Sequence, residues 1–333
     1  MRAEPNALQW DGEPGHYEVY YLTFTDPGSG VGCWIRYTML APLPSVGQPA
    51  TASLWFLTMD PESGVFGRKT TVPVEQLRAQ SRPFELVLGE SVLSDQGMRG
   101  GFEDVEWELQ WSPGRPYEHV HPLLRRMAST ILVLPHADLK IDGSVYFGGR
   151  RLELSGVRGG QAHLWGRKHA SCWAWAHCND FSVLGQDGAA EGAFVDGVSV
   201  IVPRLGREVG PNTPVVGRID GQDFRSTSPV RVLANDSTFA LTGWRFEAVG
   251  GRRKLVAEVD ADRDQLAGVT YTDPDGEQAY CYNSETASMR VHVYERSRRV
   301  GGWEHRQTLV APRRAHFEYA QRETVPGLEL VLK

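Results

Sequence analysis

Residues 105–111 read Val-Glu-Trp-Glu-Leu-Gln-Trp, so Trp107, Leu109 and Trp111 fall on one face of an extended chain and Glu106, Glu108 and Gln110 on the other. A helix would scatter these side chains around its axis, whereas a strand with one wet and one dry face needs this alternation. Comparable short runs recur at 16–24, 33–40 and 52–59, each bounded by turn-forming residues. Gly148-Gly149 and Gly250-Gly251 stand at the tips of two further alternating pairs, 144–156 and 239–262, and read as hairpin turns.

The breakers agree with this pattern. The 333 residues include 36 Gly and 20 Pro, which limit helices, and 10 Trp and 11 Tyr, which suit pleated, half-buried surfaces. Only 73–80 and 116–129 read as helical, and both are short connectors. The expected fold class is all-β. Because open sheets rarely exceed about ten strands without splitting, two antiparallel β-barrel or sandwich domains packed side by side are expected. The least patterned mid-chain stretch, 185–192, places the boundary between 1–188 and 189–333.

Charge and cysteine content narrow the partners. With 35 Lys+Arg against 41 Asp+Glu the net charge is -6, the wrong sign for a chain that binds nucleic acid. The 4 Cys are too few and too scattered for a disulfide framework and read as reduced, apolar fillers. The first twenty residues lack a basic-then-apolar signal, so a cytoplasmic location is expected. Basic clusters at Arg252-Arg253-Lys254, Arg296-Ser-Arg298-Arg299 and Arg313-Arg314 read as solvated strand ends, with transient contact to a membrane surface as a secondary expectation.

Chemically useful residues are densest at 159–181, which reads as a hairpin. In its first strand Gln161, His163, Trp165 and Arg167 share a face. In its second, Trp173, Trp175, His177, Asn179 and Phe181 oppose a face of Cys172, Ala174, Ala176, Cys178 and Asp180. Two indoles, an imidazole and an amide suit the wall of an apolar cavity that orients a guest or moves protons, while the Cys/Ala face permits close approach of another layer. The competing reading is that the tryptophans fill a β core and the histidines bind backbone carbonyls.

The run Gly159-Gly-Gln-Ala-His163-Leu-Trp165-Gly166, followed by Trp173-Ala-Trp175-Ala-His177-Cys-Asn179-Asp-Phe181, resembles the signature of the lipocalin-like superfamily of tocopherol cyclases, carotenoid 1,2-hydratases and lipocalin-like Diels-Alderases. The flanking segments 143–159 and 299–322 are similar to that group's strands. The resemblance implies a hydrophobic isoprenoid, polyene or polyketide-like substrate in an apolar pocket, and cyclisation, hydration or isomerisation with no cofactor. His163, His177 and Asp180 are the expected catalytic residues, and Trp165, Trp173, Trp175, Asn179 and Phe181 the expected substrate-binding ones. Several relatives carry an acid or amide beside the motif histidine, where this chain has Ala162 and Leu164. Besides Asp180, Glu18 and Glu106 are candidate acids. The missing neighbour favours a second expectation, a non-catalytic carrier of a lipid-like molecule.

The remaining motifs carry less. His119-Val-His121 has metal-ligand spacing but no third ligand nearby, so no metal is expected. Asp260, Asp262 and Asp264 open like a calcium loop, but Gln265 and Tyr271 stand where Gly and Glu are needed.

Overall fold

The computed structural model describes residues 4–122, 125, 128–204, 206–297 and 301–333. It is all-β apart from short turns and one six-residue helix among the described residues, α1 (Pro229–Ala234), which begins at a proline after Ser228.

The first sheet has twelve strands. They are β1 (His16–Thr25), β2 (Gly32–Ala41), β3 (Thr51–Asp60), β4 (Gly64–Pro73), β5 (Leu77–Ser81), β6 (Phe84–Leu88), β7 (Ser91–Ser94), β8 (Gly97–Phe102), β9 (Val105–Gln110), β10 (Tyr117–Glu118), β11 (Thr130–Phe147) and β12 (Arg150–Gly166). The order is β4-β3-β2-β1-β12-β11-β9-β8-β7-β6-β5. Its two ends, β4 and β5, are consecutive in sequence and joined only by the 3-10 turn Val74–Gln76, so the sheet curls into a nearly closed barrel. This corrects the expected helix at 73–80, whose second half pairs with β6. The 105–111 alternation is realised, with Val105, Trp107 and Leu109 inside and the intervening residues exposed. In the other expected helix, 116–129, Tyr117–Glu118 is strand, while Leu123, Leu124, Arg126 and Met127 lie outside the described residues.

Thirteen strands make the second sheet. They are β13 (Cys172–Cys178), β14 (Ser182–Val183), β15 (Phe194–Arg204), β16 (Arg207–Asn212), β17 (Val215–Ile219), β18 (Gln222–Ser226), β19 (Asp236–Ala240), β20 (Gly243–Gly250), β21 (Arg253–Asp260), β22 (Ala267–Thr272), β23 (Gln278–Arg296), β24 (Trp303–Gln321) and β25 (Leu330–Leu332). The main path is β18-β17-β15-β13-β24-β23-β21-β20-β19. The chain passes from one sheet to the other between Gly166 and Cys172, ahead of the 188 boundary expected from composition.

That crossing overturns the hairpin expected at 159–181. β12 is paired on both sides, with β1 and β11, and has no free edge for β13, which instead lies between β15 and β24. The glycine turns hold: Gly148 and Gly149 join β11 to β12 with φ of 55° and 79°, conformations that cost glycine little.

Three apolar layers result. Tyr20, Leu22 and Phe24 of β1 point into the core of the first sheet, and Ala174, Ala176 and Cys178 of β13 into that of the second. Between the sheets lies a third cluster, in which Tyr17, Val19, Tyr21 and Trp55 meet Trp173, Trp175, Phe194 and Tyr271. β1 is therefore buried on both faces, as a strand between two layers must be. No helix among the described residues is long and apolar enough to cross a membrane.

Candidate active site

β12 alternates between two layers. Ala162 and Leu164 face the inter-sheet cluster, so His163 points the other way, stacked on Tyr20 with ring centroids 4.1 Å apart. Its Nε2 lies 2.8 Å from Glu18 Oε1 and its Nδ1 lies 2.7 Å from the Pro5 carbonyl oxygen. Both ring nitrogens thus face acceptor oxygens. Glu18 also accepts from the Gln9 and Trp10 main-chain N–H groups, the Tyr20 hydroxyl and His16. Burial pushes the Glu18 carboxyl upward, but its hydrogen bonds with His16 and His163 outweigh this and hold it down at about 2. The acid missing beside His163 in sequence is thus supplied across the β1–β12 ladder. As a carboxylate it fastens the N-terminal segment and has no proton to give.

His177 is placed differently. It lies on the inter-sheet face of β13, directly opposite Asp196 of β15 on one side and His316 of β24 on the other. Its Nδ1 is 3.0 Å from Asp196 Oδ2, and Trp175 Nε1 donates to Asp196 Oδ1 at 3.2 Å. From just past the end of β10, His119 brings its Nε2 to 2.8 Å from Asp196 Oδ1, out of line for a hydrogen bond. Burial raises the Asp196 carboxyl, yet the two histidines outweigh it and keep it below the ordinary carboxylate range. An ionised Asp196 can only accept, so Nδ1 of His177 is the protonated nitrogen.

The opposite ring nitrogen has no partner among the described residues. His177 Nε2 is buried without a hydrogen bond and points at Gly160, where a Cβ would sit only 2.6 Å away. Glycine at 160 is thus what lets the imidazole approach the first sheet. Beside it His316 stacks at 6.1 Å, with its Nδ1 2.7 Å from Glu285 Oε2, which also accepts from Thr23 of β1. A register shift in β23 between Ser284 and Ala287 brackets Glu285, and Gly32 leaves room for its Cβ. Burial depresses the His316 imidazole more than Glu285 raises it, favouring the neutral ring.

The structure therefore brings His177 and Trp175 together and puts His163 in another layer. Trp173 belongs to the same inter-sheet face but donates to Glu318 at 3.1 Å. Asn179 clasps the sheets, donating to the Gly159 carbonyl at 2.8 Å. Phe181 is in the second core, Trp165 packs on His163, and Asp180 pairs with Arg314 at 3.0 Å. Of the basic clusters, Arg253 is buried, donating to the Ile219 carbonyl, and Arg298 and Arg299 lie outside the described residues. His119, Asp196, Glu285 and His316 were not singled out for this site by sequence reasoning, since no spacing connects residues that meet only through strand register.

No protein-family model matches the sequence. Two uncharacterized proteins of Mycobacterium tuberculosis, from strains CDC 1551 / Oshkosh and H37Rv, are each 28% identical over 312 residues, covering 89% of this chain and 87% of theirs. The fold is similar to the crystal structure of a Nitrosomonas europaea protein designated a candidate AttH, with TM-score 0.55, 12% identity and coverage of 97% of this chain and 100% of that one. It is also similar to kievitone hydratase from Nectria haematococca, with TM-score 0.53, 9% identity and coverage of 93% and 90%. Both are lipocalin-like barrel folds, and at these identities the likeness establishes the architecture.

Proposed function

We propose that this chain is a cofactor-independent enzyme of the hydratase, cyclase or isomerase kind, acting on a hydrophobic isoprenoid, polyene or polyketide-like substrate between its two sheets. The observation that carries the reading is the buried, unpartnered Nε2 of His177, whose opposite nitrogen is fixed by Asp196. A lone pair held in one direction in an apolar layer suits a general base, and its protonated form a general acid, while Asp196 stabilises the imidazolium. The indole of Trp175, stacked parallel to His177 at 6.3 Å, supplies an aromatic face for developing positive charge. Neither Glu18 nor Asp196 is a protonated acid at neutral pH, so proton transfer falls to imidazole. The hydratase named among the fold's neighbours supports water addition or loss as the reaction type.

The test is proton exchange. The protein is incubated in D2O with prenyl, polyene and polyketide-like alkenes, and deuterium uptake is followed by mass spectrometry. The expected result is uptake by wild type and its loss in His177→Ala, with ligand affinity retained. If an alkene binds and wild type exchanges nothing, the protein is a carrier and this reading fails.

A further inference from the structure

We infer that a second site, separate from His177, binds a small oxyanion, a phosphate or a carboxylate group, on Arg36. Arg36 lies on β2, is 4% exposed, and its Nε has no hydrogen-bond partner among the described residues. Its guanidinium sits instead among aromatic faces, 4.1 Å from the centre of Tyr271 and 5.4 Å from those of Trp34 and Trp55. Aromatic faces compensate a buried cation only in part, and a charge so placed ordinarily has a counter-ion.

The surroundings have the form of an anion site. A cavity of ≈ 100 Å³, room for a few waters or one small oxyanion, is lined by Arg36, Lys69, Thr38, Trp55, Tyr271 and His169. Three donors on its wall lack hydrogen-bond partners: Arg36 Nε, Thr38 Oγ1 and the indole Nε1 of Trp55, itself 4% exposed. Lys69 packs its ammonium 3.9 Å from the Trp55 ring centre and donates at 2.7 Å to the main-chain oxygen of Lys333. Burial, and then repulsion from Arg36, push the Lys69 ammonium down to about 8. The neighbouring carboxylates are already engaged, Asp273 by His169 and Arg322, and Glu318 by the Tyr271 hydroxyl and the Trp173 indole. Guanidinium, ammonium, hydroxyl and indole N–H make a donor set, and no Asp or Glu lines the cavity among the described residues, which is what phosphate or carboxylate oxygens require.

The experiment is calorimetric titration of the full chain at pH 7 with sodium phosphate and, separately, sodium acetate, against sodium chloride of matched ionic strength, with Tm recorded in parallel. Saturable binding and a raised Tm are expected with at least one anion, weakened about tenfold or more in Arg36→Met and less in Lys69→Met. Arg36→Met should melt at or above wild type without ligand, because it removes an uncompensated buried charge; Arg36→Lys, which keeps the charge and loses the fork, should bind weakly as well. Tighter binding of octanoate than of acetate assigns the group to the end of a longer molecule, and equal affinity assigns it to a free ion. Neither heat nor a Tm change with phosphate and acetate, or unchanged affinity in folded Arg36→Met, overturns the site. His177→Ala should leave this binding intact, so the outcome is independent of the catalytic reading.

Discussion

His177 Nδ1 and Asp196 Oδ2 are 3.0 Å apart across adjacent antiparallel strands, and this contact fixes which imidazole nitrogen is left free. Asp196→Asn would present an amide that can donate as well as accept, releasing the tautomer without changing side-chain size. In a hydrogen-bonded pair of this kind the expected loss in kcat is about 10²–10⁴-fold, with KM little changed. His177→Ala should cost a similar factor and the double variant little more, because the two residues act as one unit. Additive losses in steady-state kinetics would mean that they act separately.

Glu18 makes the protein sensitive to acid. Its carboxyl is lowered from 4.5 to about 2 in the fold, against burial and through its hydrogen bonds with His16 and His163. A depressed carboxylate contributes stability that is fully present above the unfolded value of 4.5 and is lost as pH falls toward 2. The size of the shift corresponds to about 3 kcal/mol. Denaturant melts in steps from pH 6 to pH 2 should therefore show stability falling across that window. Glu18→Gln should be less stable at pH 6, and the gap between variant and wild type should close by pH 2. A constant gap over the whole range would remove the carboxylate from the explanation.

What the sequence disclosed and what it withheld follow from one property of sheets. Alternation along a single strand is local, so the 105–111 face and the Gly148-Gly149 turn could be read directly. Register between strands is not local. Asp196 sits in an apolar run, Phe-Val-Asp-Gly-Val, with nothing to mark it until β15 is laid beside β13. Glu285 and Thr23 meet across 262 positions. Within β13 the two faces read from the sequence hold, with Ala174, Ala176 and Cys178 in a packed core and Trp173, Trp175 and His177 on the other side, but Phe181, expected beside the tryptophans, lies in the second core past the strand's end. The hairpin failed because the free edge a partner strand needs was taken by β1, whose burial on both faces follows from its place between layers.

Gly160 tests how closely the two sheets must approach. A methyl there would meet His177 Nε2 at 2.6 Å and the adjacent ring carbons at 3.0 Å, and Asp196 prevents the ring from simply turning away. Gly160→Ala should therefore lower stability by about 1–3 kcal/mol, the range for inserting a methyl into a packed interior. It should reduce turnover together with stability. Gly149→Ala is the contrast, because that position has open space and only its φ of 79° is strained. Parallel thermal melts distinguish a steric clash between layers from a backbone cost at a turn. Equal activity in wild type and Gly160→Ala would show that the approach of His177 to the first sheet is unimportant.

The cysteines give a check on the layers that is independent of any substrate. Cys33, Cys178 and Cys281 are fully buried, and burial raises each thiol. Cys172, at the start of β13, is only half-buried, though burial raises its thiol too. Reaction requires the thiolate and access to it, so the three buried groups should be protected by as much as the sheets resist opening. Titration with an aromatic disulfide reagent at pH 8 should label Cys172 slowly in the native protein and all 4 Cys in denaturant. Cys172→Ser should abolish native labelling. Rapid labelling of Cys178 or Cys281 in the native state would mean that the second core opens far more readily than its packing implies.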